Sequence, residues 1–181
     1  MTLQAGADGA APVEMIDIVD ANDEVIGSAP RSEVHARGLR HRAVHMLILD
    51  GQGRIYLQRR AAHKDVDGGL WDTSAAGHVD SGEDYLAAAQ RELGEELSLA
   101  DVALRALCEL PAQRDTGHEF VRVYVGCTAL EPQPDPREIA AAGWWSVADI
   151  AQWLVREPAV FTATFKQIFA RFEQHVSELR D

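Results

Sequence analysis

The chain has 181 residues, of which 46% are hydrophobic, and its formal net charge is −12. This length and composition predict one domain with a sizeable core. The acidic balance argues against nonspecific binding to nucleic acid or to membrane surfaces, for which a basic patch is expected. A phosphate-containing substrate stays open, because metal ions and a few local bases can supply positive charge.

The termini and the cysteines give no sign of export. Residues 1–12 are rich in Gly and Ala, lack the basic start and apolar run of a signal peptide, and are expected to be disordered. No segment approaches the roughly 18 apolar residues of a membrane span. Cys108 and Cys127 are isolated and fit reduced, half-buried strand positions. We expect a cytoplasmic protein whose single domain covers residues 13–181.

Strands and helices are mixed along the chain. Period-two patterns predict strands at 14–20 and 24–29, and Pro30 then opens a short helix that Gly38 ends. The remaining predicted elements are strands at 43–49, 54–59, 103–110, 120–130 and 143–146, and helices at about 147–155 and 159–179. A proline-rich loop, 131–137, cannot lie inside a sheet. This order predicts the α/β (α+β) class, with a mixed sheet flanked by helices.

The most informative stretch, residues 77–99, reads GHVDSGEDYLAAAQRELGEELSL. A loop glycine leads into a helix that ends with the carboxylates Glu92, Glu95 and Glu96. An apolar stripe follows the 3, 4, 4 spacing of an amphipathic helix: Leu86, Ala89, Leu93 and Leu97. The stripe and the carboxylates are centred roughly 110° apart on the helix wheel. The helix can therefore bury its apolar face while the carboxylates line the edge of a cleft.

Carboxylates at this density indicate a cation. Like charges one helical turn apart repel, and Mg²⁺ takes oxygen ligands, commonly few carboxylates together with substrate phosphates. An isolated Glu-Glu pair usually belongs to a solvated helix face. The whole spaced pattern is much harder to obtain by chance.

The pattern resembles the Nudix box. The matching positions are Gly77, Glu83, Arg91, Glu92, Leu93, Glu95, Glu96 and Leu99. One position departs, because Ser98 stands where the family has glycine. A non-glycine residue in the left-handed conformation costs roughly 1 kcal/mol, so we expect tolerated strain or a shifted helix end there. The resemblance implies a Nudix α/β/α sandwich and a Mg²⁺ or Mn²⁺ cofactor.

The family's metal-ligand positions are Glu92, Glu95, Glu96 and the carbonyl of Gly77. The resemblance also implies that Glu83 braces the junction between loop and helix. Arg91 either orients a box glutamate or forms a plain surface ion pair with Glu95.

A general base is needed near the attacking water. Glu119 is the first candidate for this role and a further metal-ligand candidate, and Glu95 is the second candidate base. The alternative for Glu119 is an exposed carboxylate at a strand end.

The similarity extends beyond the box, from about residue 14 to about residue 150. The segments HRAVHMLILDGQGRIYLQRRAAHKD, GGLWDTSAAGHVDSGE and HEFVRVYVG resemble the isopentenyl-diphosphate isomerase branch and the hydrolases that share its sequence. The isomerases carry a catalytic cysteine immediately before the first box glycine, and this chain has Ala76 there. A methyl group can act as neither acid nor base. The isomerases also degrade the Arg-Glu-…-Glu-Glu part of the box, which is whole here.

Several histidines match the metal site of the isomerases in part. His41 and His78 match two of the histidine ligands, and His35 lies about one residue from a third. Glu119 matches one of two strand carboxylates, but Gly117 occupies the position of the other. A second metal site is therefore incomplete by sequence. The alternative is that His35, His41 and His45 are ordinary core or surface histidines.

Basic residues near the predicted cleft are candidates for binding phosphates. Arg60 and Lys64 match diphosphate-contacting positions of the isomerases, and Arg59 is adjacent. The alternative is that these basic residues are exposed at a strand end and only add to solubility. Trp71, Trp144 and Trp145 have the capacity to stack on a base, but adjacent residues on a strand face opposite ways, and packing is favoured.

These features predict a hydrolase that cleaves a diphosphate linkage in a nucleotide or a related small molecule. The alternatives are an isopentenyl-diphosphate isomerase using another acid, and a non-catalytic module that senses nucleotides. No motif names the leaving group. A homodimer through the N-terminal strands or the last helix stays open.

Overall fold

The computed structural model describes residues 13–178, with side chains up to residue 175. The elements in chain order are β1 (Met15–Val19), β2 (Val25–Pro30), α1 (Arg31–Arg37), β3 (His41–Leu49), β4 (Ile55–Arg60), β5 (Trp71–Asp72), β6 (Ala75–His78), α2 (Tyr85–Leu97), β7 (Arg105–Leu110), β8 (Glu119–Cys127), β9 (Ile139–Trp145), α3 (Val147–Arg156) and α4 (Ala163–Glu178). The expected disorder of residues 1–12 and the predicted end of the last helix lie outside the described residues.

A mixed seven-stranded sheet carries the fold. Its main path runs β5-β4-β3-β8-β7, with β6 added to β3 and β9 added to β4. The long pairing of β3 with β8 is parallel, and the other pairings are antiparallel. A separate hairpin of β1 and β2 packs with α1 around Ile16, Ala29 and Val34.

Alternate residues of β3 face opposite sides of the sheet, and each side has its own apolar core. Val44, Met46 and Ile48 pack with α2, while Ala43 and Leu47 pack with α3 and α4. The predicted α/β/α sandwich is thereby confirmed. No helix within residues 13–178 is long and apolar enough to cross a bilayer.

Strands β3 and β4 separate just beyond their hairpin turn. They pair only at Leu49 and Ile55, after which β6 takes over the edge of β3, and β5 and β9 pair with β4. A cleft therefore opens between β6 and β4, inside the sheet rather than at its rim. Backbone groups of β6 that face this cleft need partners other than a neighbouring strand.

Several boundaries differ from the sequence predictions. Strand β6 was not predicted, because its Ala-Ala-Gly-His sequence has little intrinsic strand preference and pairing with β3 creates the strand. Strand β9 begins at Ile139, four residues earlier than expected, since it pairs along the whole of β4. The last helix begins at Ala163 after a separate 3₁₀ turn, Pro158–Val160, and the Thr162 hydroxyl caps it.

The exposure of two side chains, Leu86 and Cys127, differs from the sequence predictions. Leu86 is exposed, and Tyr85 and Ala88 occupy the buried side of the first turn of α2 instead. Cys108 is half-buried as expected, but Cys127 is exposed; both are free thiols.

Ser98 resolves the departure from the box pattern. Helix α2 ends at Leu97, and Ser98 adopts the left-handed conformation with φ 57° and ψ 34°. Its backbone N–H donates to the Gly94 carbonyl (3.1 Å), and that of Leu99 donates to the Leu93 carbonyl (3.1 Å). The helix end is therefore not shifted: serine takes the conformation that favours glycine, at a cost of about 1 kcal/mol.

Ser98→Gly is expected to stabilise the protein by about 1 kcal/mol, because glycine has no Cβ to clash in this conformation. Gln90→Gly, which introduces the same residue at an exposed position inside α2, is the matched control and is expected to cost about 1 kcal/mol. Equilibrium unfolding in urea measures both changes. A fall in stability for Ser98→Gly would contradict the assigned strain.

Candidate functional site

A cavity of about 900 Å³ lies at the cleft between β6 and β4. Its walls come from distant parts of the chain, including the box helix α2, the loop after β4, the N-terminal segment and the start of β8. Its functional side chains are Glu14, His35, His45, Arg60, Lys64, Asp72, His78, Arg91, Glu92, Glu95, Glu96 and Glu119. The structure therefore brings most of the sequence-predicted site residues to one place.

Glu96 is the buried carboxylate of the box. It is 5% exposed and accepts hydrogen bonds from Gln58 Nε2 (3.1 Å) and from the backbone N–H of Ala76 (3.3 Å). Glu92 lies beside it on α2, with a side chain that is 13% exposed. Burial and the neighbouring charge of Glu92 raise the pKa of Glu96 to about 7, and burial also raises the pKa of Glu92. A cation bound between these two carboxylates would stabilise their ionised forms, so the pair is suited to bind one.

Gly77 is required by the position of Glu92. A Cβ atom on Gly77 would collide with the Glu92 carboxylate, so a larger residue would force that carboxylate out of its present position. The predicted ligand role of the Gly77 carbonyl fits less well. Backbone groups alternate in direction along a strand, and the N–H of Ala76 points to Glu96, away from β3. The Ala76 carbonyl therefore faces the carboxylates, and the Gly77 carbonyl faces β3.

Arg91 ties the box loop to the box helix. It donates to Glu83 from Nε (3.1 Å) and from Nη2 (2.9 Å), and to Glu92 from Nη1 (2.7 Å). It also donates to the carbonyl of His78 (3.0 Å), whereas Glu95 is more distant at 3.4 Å. Arg91 thus holds a box glutamate, as the first of its two predicted roles requires. Glu83 joins this network and accepts from the backbone N–H of Asp80 at the loop (3.2 Å).

A second group of side chains that could hold a metal ion is a cluster formed by His35, His41, His78 and Glu119. One ligand atom from each lies within 4.8 Å of all the others. Glu119 Oε1 is 3.4 Å from His41 Nε2 and 3.5 Å from His78 Nε2, and His35 Nε2 is 3.1 Å from His78 Nε2. His35 therefore joins the cluster despite its offset in sequence, because α1 carries it to β6.

The donor set of this cluster fits a metal ion. His41 Nδ1 lies 2.9 Å from the Leu39 carbonyl, so it carries the proton and leaves Nε2 as the lone-pair nitrogen. That Nε2 atom is buried and has no hydrogen-bond partner among the described residues. A backbone carbonyl that fixes the tautomer of an inward-facing imidazole is the usual support of a histidine ligand.

Charges in this cluster are strongly coupled. Burial lowers the pKa of His78, but interactions with Glu119 and Glu14 outweigh it and raise the pKa to about 9. Burial and the charge of His78 lower the pKa of His35 to about 4. Burial raises the pKa of Glu119, yet the adjacent His41 and His78 imidazoles hold it well below its ordinary value. A carboxylate held this way is a weak proton acceptor, which disfavours Glu119 as the general base and favours it as a ligand.

Two of the three predicted phosphate-binding cations reach the cavity. Arg60 and Lys64 line it, and Lys64 pairs with Glu138 at its rim. Arg59 points the other way on β4: within the part of the chain that the structure describes, it is exposed, donates to the Gly69 carbonyl (2.8 Å) and does not line the cavity. Adjacent residues of a strand face opposite sides, so only one of the two arginines can face the cleft.

The tryptophans pack as favoured. Trp71 and Trp145 lie edge to face at 4.9 Å in the core beneath α3 and α4, while Trp144 packs on Tyr56 at 5.0 Å on the opposite side of the sheet. None of the three is among the described residues that line the cavity.

One buried group at the cavity, formed by His45, Asp72 and Thr73, is not marked by any motif in the sequence. His45 and Asp72 line it, and Thr73 bonds to His45. Neither a motif nor a spacing links β3 to the Trp-Asp-Thr run, because β5 and β6 bring these residues together only in the folded sheet.

Comparison with known proteins agrees with this geometry. The NUDIX domain model matches residues 39–165. An isopentenyl-diphosphate Delta-isomerase from Serratia proteamaculans is 39% identical over 86% of this chain and 89% of its own length. An uncharacterized Nudix hydrolase from Yersinia pestis is 46% identical over 68% of this chain and 70% of its own length.

The crystal structure of DR0079 from Deinococcus radiodurans has the same architecture. It superposes with a TM-score of 0.76 at 27% identity, over 87% of this chain and 98% of that one. With the box carboxylates gathered at one cavity and the domain match spanning most of the sheet, the chain belongs to the Nudix family, in the branch that includes isopentenyl-diphosphate isomerases.

Proposed function

We propose that the protein is a divalent-metal-dependent hydrolase that cleaves a diphosphate linkage in a nucleotide or a related small molecule. The observation that carries the proposal is the buried pair Glu92 and Glu96, which faces Arg60 and Lys64 across one cavity. Carboxylates on one side suit a metal ion, and a guanidinium and an ammonium on the other suit phosphate oxygens. A diphosphate bound between them would meet both.

Glu92 and Glu96 would hold the ion, with the Ala76 carbonyl as a further oxygen ligand and Glu95 at the exposed side. A bound Mg²⁺ or Mn²⁺ supplies charge stabilisation for the bridging phosphates and lowers the pKa of the attacking water. Arg91 keeps the Glu92 carboxylate in place through its 2.7 Å bond.

Arg60 and Lys64 would orient the substrate so that its bridging oxygen meets the carboxylates. Burial and the neighbouring charge of Arg60 lower the pKa of Lys64. An added diphosphate would offset both effects and would compete with Glu138 for the ammonium group.

The cluster of His35, His41, His78 and Glu119 is proposed as a second metal site. Three imidazoles and one carboxylate suit a transition-metal ion better than Mg²⁺. His78 directly follows Gly77, so an ion there would also steady the loop that meets the box helix.

Isomerase activity is the second candidate, and the 39% identity to a named isomerase favours it. The reaction needs an acid and a base on opposite faces of the allylic unit. Ala76 offers only a methyl group where the isomerases of this branch have cysteine. The intact set of box carboxylates also favours hydrolysis.

Glu96→Gln is expected to lower the rate of hydrolysis about 100- to 1000-fold, since losing a buried metal ligand removes several kcal/mol of charge stabilisation. Release of phosphate or nucleoside monophosphate from a panel of nucleotides and prenyl diphosphates, with Mg²⁺ or Mn²⁺, measures the change. Glu173→Gln, an exposed glutamate on α4, is the matched control and should keep wild-type turnover.

Equal turnover in wild type and Glu96→Gln would rule out the proposed site. If ligands shift the thermal unfolding of the wild type and none is consumed with any metal, the protein is a sensing module instead.

Incubation with isopentenyl diphosphate is expected to give no dimethylallyl diphosphate, because Ala76 cannot transfer a proton. Product chromatography after incubation with each metal measures the outcome, with an authentic isomerase as the positive control. Conversion by the wild-type chain would replace the hydrolase proposal by the second candidate.

Wild type is expected to bind two Mn²⁺ ions per chain. His41→Gln and His35→Gln should each lose the ion at the histidine cluster and keep the ion at the box carboxylates. Glu96→Gln should lose the ion at the box carboxylates. Electron paramagnetic resonance of free Mn²⁺ gives the stoichiometry, and His175→Gln on the exposed side of α4 is the control. An unchanged count in both histidine variants would rule out the second site.

A further inference from the structure

His45 is the cross-strand neighbour of Ala76, the residue that matches the cysteine position of the isomerase branch. In the antiparallel pairing of β3 with β6, His45 lies directly opposite Ala76. Side chains of opposed residues share one face of a sheet, with Cβ atoms about 5 Å apart. The imidazole of His45 therefore lies beside the methyl group of Ala76, on the wall of the cavity.

One ring nitrogen of His45 is fixed by its neighbours. Nδ1 lies 2.9 Å from the Thr73 hydroxyl, and that hydroxyl donates its single proton to the Ala75 carbonyl (3.2 Å). The hydroxyl must therefore accept from His45, so Nδ1 carries the ring proton. Buried Asp72 lies 3.6 Å from the same nitrogen, which further favours that tautomer.

The other ring nitrogen faces the cavity. Nε2 of His45 has no hydrogen-bond partner within residues 13–175, and it is not among their fully buried unpartnered atoms. With the proton on Nδ1, Nε2 holds a lone pair. A buried proton acceptor with a fixed tautomer thus lies on the wall of the cavity.

The other candidate bases suit the role less well. Glu119 Oε1 lies within 3.5 Å of two histidine nitrogens in the proposed second metal site, and the side chain of Glu95 is 62% exposed at the outer edge of α2. His45 combines burial, a fixed tautomer and a free acceptor, as a general base requires.

We propose that His45 is the general base of the hydrolysis, a proposal that rests on the function proposed above. The water oxygen forms a bond to phosphorus while one water proton passes to Nε2. The bond from that phosphorus to the bridging oxygen breaks, and its electron pair leaves with the departing phosphate. The proton then passes from Nε2 to the departing phosphate or to solvent, which restores the neutral imidazole. Thr73 and Asp72 are positioning residues that keep Nε2 directed at the water.

His45→Asn and His45→Gln test the proposal with the full chain and Mg²⁺. Asparagine retains a donor for the Thr73 hydroxyl, glutamine places an amide near Nε2, and neither is a base. Both are expected to lower kcat about 10²- to 10⁴-fold, with KM and the number of bound Mn²⁺ ions unchanged. His63→Gln, an exposed histidine in the loop after β4, is the control.

His45→Ala provides a direct test of proton transfer, because added imidazole can occupy the space left by the ring. The expected result is a kcat that rises at least tenfold with imidazole concentration, whereas a purely structural role predicts no such rise. If thermal unfolding shows that the His45 variants are not folded, Thr73→Val takes their place. This substitution removes the acceptor for Nδ1 and keeps the side-chain shape. It is expected to lower kcat about tenfold at unchanged KM, and an unchanged kcat would overturn the proposal.

The outcomes separate the two proposals. If the wild type hydrolyses a substrate and the folded His45 variants keep its kcat, His45 is not the base while the hydrolase proposal stands. Loss of a bound Mn²⁺ ion in the variants would make His45 a ligand and overturn the proposal. If the wild type hydrolyses nothing in the panel, the proposed function fails and this role fails with it.

Discussion

The separation of β3 from β4 is the constraint on which the rest of the site depends. Because the two strands pair at only one position, the sheet opens and β6 borders a cleft instead of another strand. The freed N–H of Ala76 then takes the carboxylate of Glu96 as its acceptor, at 3.3 Å. A closed sheet would satisfy this N–H by a strand and would leave neither the cavity nor a reason to bury Glu96.

Strand β6 links Glu96, Glu92 and the histidine cluster within three residues. Ala76 meets Glu96, Gly77 admits Glu92 by lacking a Cβ, and His78 joins the cluster around Glu119. Arg91 adds a bond to the carbonyl of His78, which fixes this strand against the box helix. The absence of a side chain at Gly77 matters here, since a larger residue would displace the Glu92 carboxylate.

The cavity separates two kinds of donor. The carboxylates Glu92 and Glu96 come from α2, whereas the imidazoles come from α1, β3 and β6. Carboxylate oxygens suit a hard cation, and imidazoles suit a transition-metal ion. Ala76 lies between these groups, opposite His45. The isomerases of this branch have a cysteine at this position. In this chain the position holds alanine, and the neighbouring strand places buried His45 beside it.

The sequence by itself determined the parts of the protein that depend on local spacing. The Gly-to-Glu spacing of residues 77–99 predicted the box helix and its carboxylates, and alternation predicted most strands to within a few residues. It could not decide which arginine of the pair Arg59 and Arg60 faces the cleft, because that depends on the pairing of β4 with β5 and β9. The tertiary structure alone made β6 a strand, brought His35 to His78 across 43 positions of the chain, and joined His45 to Asp72. The physical reason is that these contacts are set by strand register and burial, which arise between distant segments and leave no periodic signal in either one.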